Sequence, residues 1–199
     1  MLSMNASSAA NVVHGLLNLN KPIGVTSRDV VDQVARPLRK LKVGHAGPLD
    51  PLASGVLVVC IGAATRLIEY VQAMPKTYRT RIRLGATSDT LDVDGEVVET
   101  VEPRVPSEDD VRRVLATQVG IINQVPPEFS ALKINGRRAY DLARAGEKVE
   151  LAARPVSITR VELLKYQWPH LDLEIDCGSG TYIRSIARDV GHTLGCGGL

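Results

Sequence analysis

Lys76-Thr77-Tyr78-Arg79-Thr80-Arg81-Ile82-Arg83-Leu84 alternates strictly, and the alternation specifies a strand. Its period of two puts Tyr78, Thr80, Ile82 and Leu84 on one face and Arg79, Arg81 and Arg83 on the other, a local basic stripe. Toward the N-terminus, Val56–Ile61 reads as a buried strand by its length and β-branching, behind a run from Gly44 to Gly55 crowded with Gly and Pro. Thr26, with Asp29 three residues on, marks a helix start. Val30, Val31, Val34, Leu38 and Leu41 follow at helical spacing, and Pro37 is expected to kink or end that helix. Toward the C-terminus, a charged turn around Asp92–Gly95 leads to a short strand at Val97–Val101, and Ser107 caps a helix that turns Val111, Val114 and Leu115 inward. Strands at Val156–Trp168 and Leu171–Cys177 precede a last helix with the stripe Ile183, Ile186, Ala187, Val190 and Leu194. Strands and helices do not alternate regularly and nothing repeats. The class is α+β, with a mixed, mostly antiparallel sheet and flanking helices.

The simplest partition is a loose tail over 1–12, with order starting at Gly15–Leu19, and one domain of catalytic size over 13–199. Segment 124–151 differs in character: it opens on Pro126-Pro127, carries Lys133, Arg137, Arg138 and Arg144, and has a helical stretch near Ala139–Ala145. It reads as a protruding basic insertion. With 44% apolar and 23% charged residues in a chain of 199, composition is ordinary for a globular protein and excludes disordered and fibrous classes. The formal charge of +2 announces no nucleic-acid partner, so any basic surface must come from local patterning. Three cysteines, Cys60, Cys177 and Cys196, form no close pair, which argues against disulfides or a zinc site and suits a reduced cytosol. The apolar runs are too short to span a membrane and the start lacks a basic signal region, so the expectation is a soluble chain without an export signal.

Two places could carry chemistry. The run Gly44–Gly55 spends backbone freedom on a defined shape around one acid, and Pro51 pushes Asp50 toward an extended backbone. Spacing alone favours an aspartate that merely caps a turn, and His45 has a similar reading as a surface loop residue. The second place is Gly178–Arg184, where a Gly-rich turn feeds the last helix and sets Arg184 in its first turn, against the helix dipole. Arg184 either points to solvent or has an anionic partner, a phosphate or a carboxylate such as Asp50, and the turn itself could hold an anion on its N–H groups. Asp89, Asp92 and Asp94 before Gly95 miss the calcium-loop spacing and read as a surface turn. The four histidines lack metal-ligand spacing and no serine sits in a nucleophile elbow.

Gly44–Leu57 resembles the active-site loop of the TruB family of tRNA pseudouridine synthases, and the likeness runs through most of the chain. Lys21-Pro22 with Thr26-Ser27 is similar to that family's first motif, and Lys76-Thr77-Tyr78 through Leu84-Gly85 to its tyrosine strand. Gln124-Val125-Pro126-Pro127 to Ser130-Ala131-Leu132-Lys133, followed by Gly136, Tyr140 and Leu142-Ala143-Arg144, resembles its RNA-gripping thumb; Gly180-Thr181-Tyr182-Ile183-Arg184 resembles its arginine motif. The resemblance implies the pseudouridine synthase fold, with Asp50 as the essential acid, Tyr78 stacked on the target base and Arg184 as the partner of Asp50. It makes His45 and Tyr182 contacts to RNA or the flipped nucleotide and gives Lys21, Lys133, Arg137 and Arg138 to RNA binding, with Arg79, Arg81 and Arg83 available for phosphates.

The activity so implied is isomerisation of a T-arm uridine of tRNA, in the cytoplasm, by a monomer that needs no metal, organic cofactor, membrane or obligate protein partner. Two departures stand out. Pro48 replaces a small residue usual in the family and removes a backbone donor two positions before Asp50. The chain stops at Cys196-Gly197-Gly198-Leu199, before the family's closing strand, apolar pocket residue and small C-terminal RNA-binding domain. The expectation is a truncated protein that folds and catalyses poorly. Two other readings compete: a noncatalytic tRNA-binding or folding module of the same fold, and a guide-RNA-dependent pseudouridine synthase subunit.

Overall fold

A computed structural model describes residues 13–38, 40–130, 132–134, 136–140, 145 and 151–199, and of Lys133, Ile134 and Arg138 the backbone alone. The tail expected over 1–12 and most of the helical stretch near Ala139–Ala145 lie outside these residues. Contacts divide the chain into two units, one ending at Ala73 and one starting at Met74.

In the first unit, β1 (Gly15–Lys21) and β2 (Val43–His45) flank β3 (Gly55–Ile61) in an antiparallel sheet. Helix α1 (Ser27–Ala35) starts where the sequence places it: Asp29 N–H donates to Thr26 Oγ1 at 3.1 Å and Thr26 N–H donates to Asp29 Oδ2 at 2.9 Å. It stops two residues before Pro37, so Leu38 and Leu41 fall outside the helix that the apolar stripe had included. Val30 and Val31 of α1 bury against Leu57 and Val59 of β3, with Leu19, Val25, Val34 and Val43 around them. Strand β3 is not buried throughout, since Val56 at its start is 68% exposed. A 3₁₀ turn over Gly62–Leu67 and a short helix α2 (Ile68–Ala73) follow, in a stretch where the sequence reading had assigned no element.

The second unit holds a four-stranded sheet. Its order is β4 (Lys76–Arg83), β11 (His170–Cys177), β10 (Arg154–Gln167) and β7 (Gly120–Gln124), and every pairing is antiparallel. Two short pairs form separate two-stranded sheets: β5 (Ala86–Ser88) with β6 (Val97–Glu99), and β8 (Lys133–Ile134) with β9 (Arg137–Arg138). Helix α3 (Glu108–Ala116), capped by Ser107, and helix α4 (Ile183–Thr193) pack on one face. The core gathers Ile82, Leu171, Leu173, Ile175, Ile158, Val111, Leu115, Ile186 and Val190. Each fully buried Leu or Ile side chain contributes about 1.5–3 kcal/mol, so this layer fixes the register of β4.

The opposite face corrects the expected basic stripe. Arg79 pairs with Glu174 at 2.8 Å, Arg81 with Asp172 at 2.7 Å and Arg83 with Glu99, while Arg160 on β10 bonds Glu162, Glu174 and Asp176. Carboxylates on β6, β10 and β11 turn the stripe into a ladder of ion pairs, with five carboxylates to four arginines. Among the described residues no helix is long and apolar enough to cross a membrane.

Candidate functional site

In the first unit, the loop between β2 and β3 carries Asp50. Gly47, at φ +104°, bends the chain in a region that L side chains rarely adopt. The loop is then fastened on both sides of the acid. Before it, Leu49 N–H donates to Ser27 Oγ at 2.9 Å and that hydroxyl donates to the Leu49 carbonyl at 3.0 Å. After it, the Pro51 carbonyl accepts from Gly24 N–H at 2.9 Å, and Ala53 N–H closes a turn on the Asp50 carbonyl at 3.0 Å. Pro48 is exposed and fits this scheme, because the loop's backbone donors are Ala46, Leu49 and Ala53 on either side of it. Asp50 itself is exposed. A carboxylate on a loop braced this way is held out with little backbone freedom left to lose on binding.

Lys21 is placed differently from the RNA contact expected of it. Its residue is wholly buried and its ammonium donates to the carbonyls of Val25 at 2.7 Å, Pro22 at 3.0 Å and Pro51 at 3.4 Å. Burial pushes its pKa down, and the negative charge of Asp50 works against that shift. The side chain therefore ties the turn after β1 to the residue following Asp50. His45, at the end of β2, is half-buried, and its Nδ1 has no hydrogen-bond partner among the described residues. Burial, with the charge of Arg28 second, lowers its pKa, so the ring is neutral near pH 7.

In the second unit, Tyr78 lies on the core side of β4, opposite Ile175 and against the apolar cluster, while Arg79 and Arg81 face solvent. Arg184 falls in the first turn of α4, as its spacing suggested. Its Nη1 donates to the Thr90 carbonyl at 2.8 Å and to Asp92 Oδ2 at 3.1 Å, and its Nη2 donates to the Phe129 carbonyl at 2.9 Å. Asp92 is thus no ordinary surface-turn residue. Its other oxygen accepts from the Thr90 hydroxyl at 2.6 Å and Asp94 N–H at 3.1 Å, and Leu91 between them takes φ +61°. Tyr182 is the N-cap of α4, with the Arg154 guanidinium 5.2 Å from its ring centroid.

Tyr78, Tyr182 and Arg184 therefore belong to the second unit, and Lys21, His45 and Asp50 to the first. Arg137 is exposed on β9; the side chains of Lys133 and Arg138 lie outside the described residues. Sequence reasoning missed Asp92, Thr90 and Arg154 as partners of these groups. Only the acidic spacing before Gly95 drew notice to Asp92.

The family model for TruB family pseudouridylate synthase (N terminal domain) matches residues 35–183. The chain is 45% identical over 184 residues to a tRNA pseudouridine synthase B of Clostridium kluyveri, covering 92% of this chain and 63% of that protein. It is 46% identical over 196 residues to the Cereibacter sphaeroides protein of the same name, covering 98% and 65%. It thus spans less than two thirds of these relatives' length. Among solved structures it is similar to a chain of a Cbf5-Nop10-Gar1 complex, with TM-score 0.68 and 31% identity over 92% of this chain and 45% of that one. An H/ACA RNP bound to a substrate RNA containing 2'-deoxyuridine gives TM-score 0.64 and 28% identity, over 92% and 44%.

Proposed function

Because the chain belongs to the TruB family of pseudouridylate synthases, we propose that it converts a T-arm uridine of tRNA to pseudouridine. The observation that carries this reading is Asp50, an exposed carboxylate on a loop fastened on both sides. In the reaction the N1–C1′ bond breaks, the uracil turns, and C5 joins C1′; the C5 proton leaves and N1 ends protonated. Nothing is oxidised or reduced, so the reading calls for no redox cofactor.

Asp50 acts at the sugar, while the ring of Tyr78 holds the detached base until it has turned. The reading requires Arg184 and Tyr182 to meet the same nucleotide, with Arg184 pairing the Asp50 carboxylate. A stacked uridine must first leave the RNA fold, at a cost of a few kcal/mol that stacking and phosphate contacts offset. Lys133, Arg137 and Arg138 are assigned to those phosphates, and the neutral ring of His45 to a contact with RNA or the flipped nucleotide. Lys21 is assigned to holding the Asp50 loop. The higher identity to the tRNA enzymes than to chains of a Cbf5-Nop10-Gar1 complex and an H/ACA RNP favours tRNA without a guide RNA; the reading takes the protein as a cytoplasmic monomer with no obligate protein partner.

The test is incubation of the purified natural full-length protein with an unmodified tRNA transcript, followed by chemical mapping of pseudouridine. Product in the T-arm without any guide RNA is expected. Tight binding with no product would instead identify a noncatalytic tRNA-binding module.

A further inference from the structure

Helix α4 starts without a cap of its own. Tyr182 holds the N-cap position, its side chain makes no capping bond, and Gly180 just before it sits at φ +81°. The first turn also carries the Arg184 cation, which the helix dipole disfavours. Such a start needs support from outside the helix.

Gln124, the last residue of β7, supplies it. The residue is 1% exposed. Its Oε1 accepts from Tyr182 N–H at 2.8 Å, and its Nε2 donates to the Tyr182 carbonyl at 3.1 Å. One side-chain amide thereby reproduces the double exchange that two residues make in an antiparallel ladder. The neighbouring backbone continues the tie: the Val125 carbonyl accepts from Ser185 Oγ at 2.9 Å and Arg188 Nη2 at 3.0 Å, and the Phe129 carbonyl accepts from Arg184.

Resting on the pseudouridine synthase reading, we propose that Gln124 is a positioning residue for that reaction. It fixes Tyr182 and, through the first turn of α4, the direction of Arg184. The pattern demands a donor and an acceptor side by side at the end of a two-carbon stem. Asparagine is one carbon too short to make both bonds, and leucine leaves the Tyr182 N–H unmet and its carbonyl with the helical bond from Ile186 N–H alone.

The experiment compares the full-length natural protein with Gln124→Leu, Gln124→Asn and a control, Gln118→Leu. Gln118 is likewise buried, at 8% exposure, but its Oε1 has no partner among the described residues and it makes no bond to Tyr182. Turnover on tRNA, thermal midpoints and amide hydrogen exchange over Tyr182–Ile186 are measured, with activity assayed where circular dichroism finds each protein folded. Gln124→Leu should lower kcat about 30-fold with KM changed less than about threefold. Gln124→Asn should fall between it and the parent, both should speed exchange at Tyr182, and Gln118→Leu should leave kcat and that exchange unchanged.

An unchanged kcat in folded Gln124→Leu, an equal kcat loss in Gln118→Leu, or a change confined to KM overturns the proposal. If Gln124→Leu does not fold, Gln124→Asn decides by the same criteria. A parent that makes no pseudouridine in any RNA defeats the functional reading instead. Unchanged exchange at Tyr182 in the Gln124 variants then still overturns the tie itself.

Discussion

Arg184 and Asp92 form an ion pair at 3.1 Å with side chains only 15% and 11% exposed. A cation in a helix's first turn has no local electrostatic reason to be there. Asp92, 92 residues away in sequence, supplies the reason, together with the carbonyls of Thr90 and Phe129, which accept from the same guanidinium. The carboxylate is itself satisfied by the Thr90 hydroxyl and Asp94 N–H, so neither partner has been left with only half its bonds.

Arg184→Lys is expected to fail although it keeps the charge. An ammonium on a flexible stem cannot hold Thr90, Asp92 and Phe129 together as a planar fork does. The thermal midpoint should drop and turnover should fall by at least about 100-fold. Parent-like values for both would show that the fork is dispensable.

Asp50→Asn keeps the side chain's size and removes its charge. Asp50 is exposed and its loop is fastened through backbone groups, so the loop's own hydrogen bonds should survive the change. Turnover should fall by at least about 100-fold, the low end for a positioned acid–base group, with tRNA affinity retained. Substantial pseudouridine formation by this variant would remove Asp50 from the chemistry.

Tyr78→Phe retains the ring that packs on the core side of β4, so RNA affinity should match the parent. Any fall in kcat then measures the hydroxyl, as expected of a group that helps move the C5 proton. Tyr78→Ala should weaken both. A Phe variant that binds RNA poorly would contradict the stacking role.

Salt dependence separates the arginines. Arg79→Ala and Arg81→Ala should leave the salt slope of tRNA binding unchanged, since both side chains already have carboxylate partners. Arg137→Ala, which removes an exposed side chain that the functional reading assigns to RNA phosphates, should lower that slope by about one. Equal effects at all three positions would return the outer sheet face to the RNA interface.

Stability should decline toward acid pH in two steps. Burial depresses the pKa of His45, so the unfolded chain takes up that proton first and stability is lost as pH falls below about 6.5. Asp172, held down by Arg81, and Glu174 and Asp176, held down by Arg160, contribute above the ordinary carboxylate range, and that contribution is lost below about pH 4. Thermal melts across this range should have both steps in the parent, and His45→Gln should abolish the upper one.

What the sequence made legible was local. Thr26 with Asp29 and Ser107 with Asp110 satisfy their own backbone donors within four residues, so both helix starts could be read directly. The alternation of β4 and the stripe of α4 survived because each buries one face on a common core. The stretch from Gly62 to Ala73 was not legible, since none of its residues is buried and it leaves no apolar stripe to detect. In the site, Asp50 stood out through its Gly- and Pro-shaped loop and Arg184 through its conflict with the helix dipole. Asp92, Glu174 and Asp172 did not, because what defines them is an arginine more than 90 residues away.

The ladder across β4, β11 and β10 also bears on how a polyanion finds this protein. Opposite charges there sit within 3 Å of each other, well inside the ~8 Å screening length of physiological salt, so their fields cancel before they reach far into solvent. Those pairs offer an incoming RNA no net positive field. A diffusing RNA is neither captured nor reoriented by them, and a wrong-way collision ends as quickly as it began, which shortens the search for a productive approach.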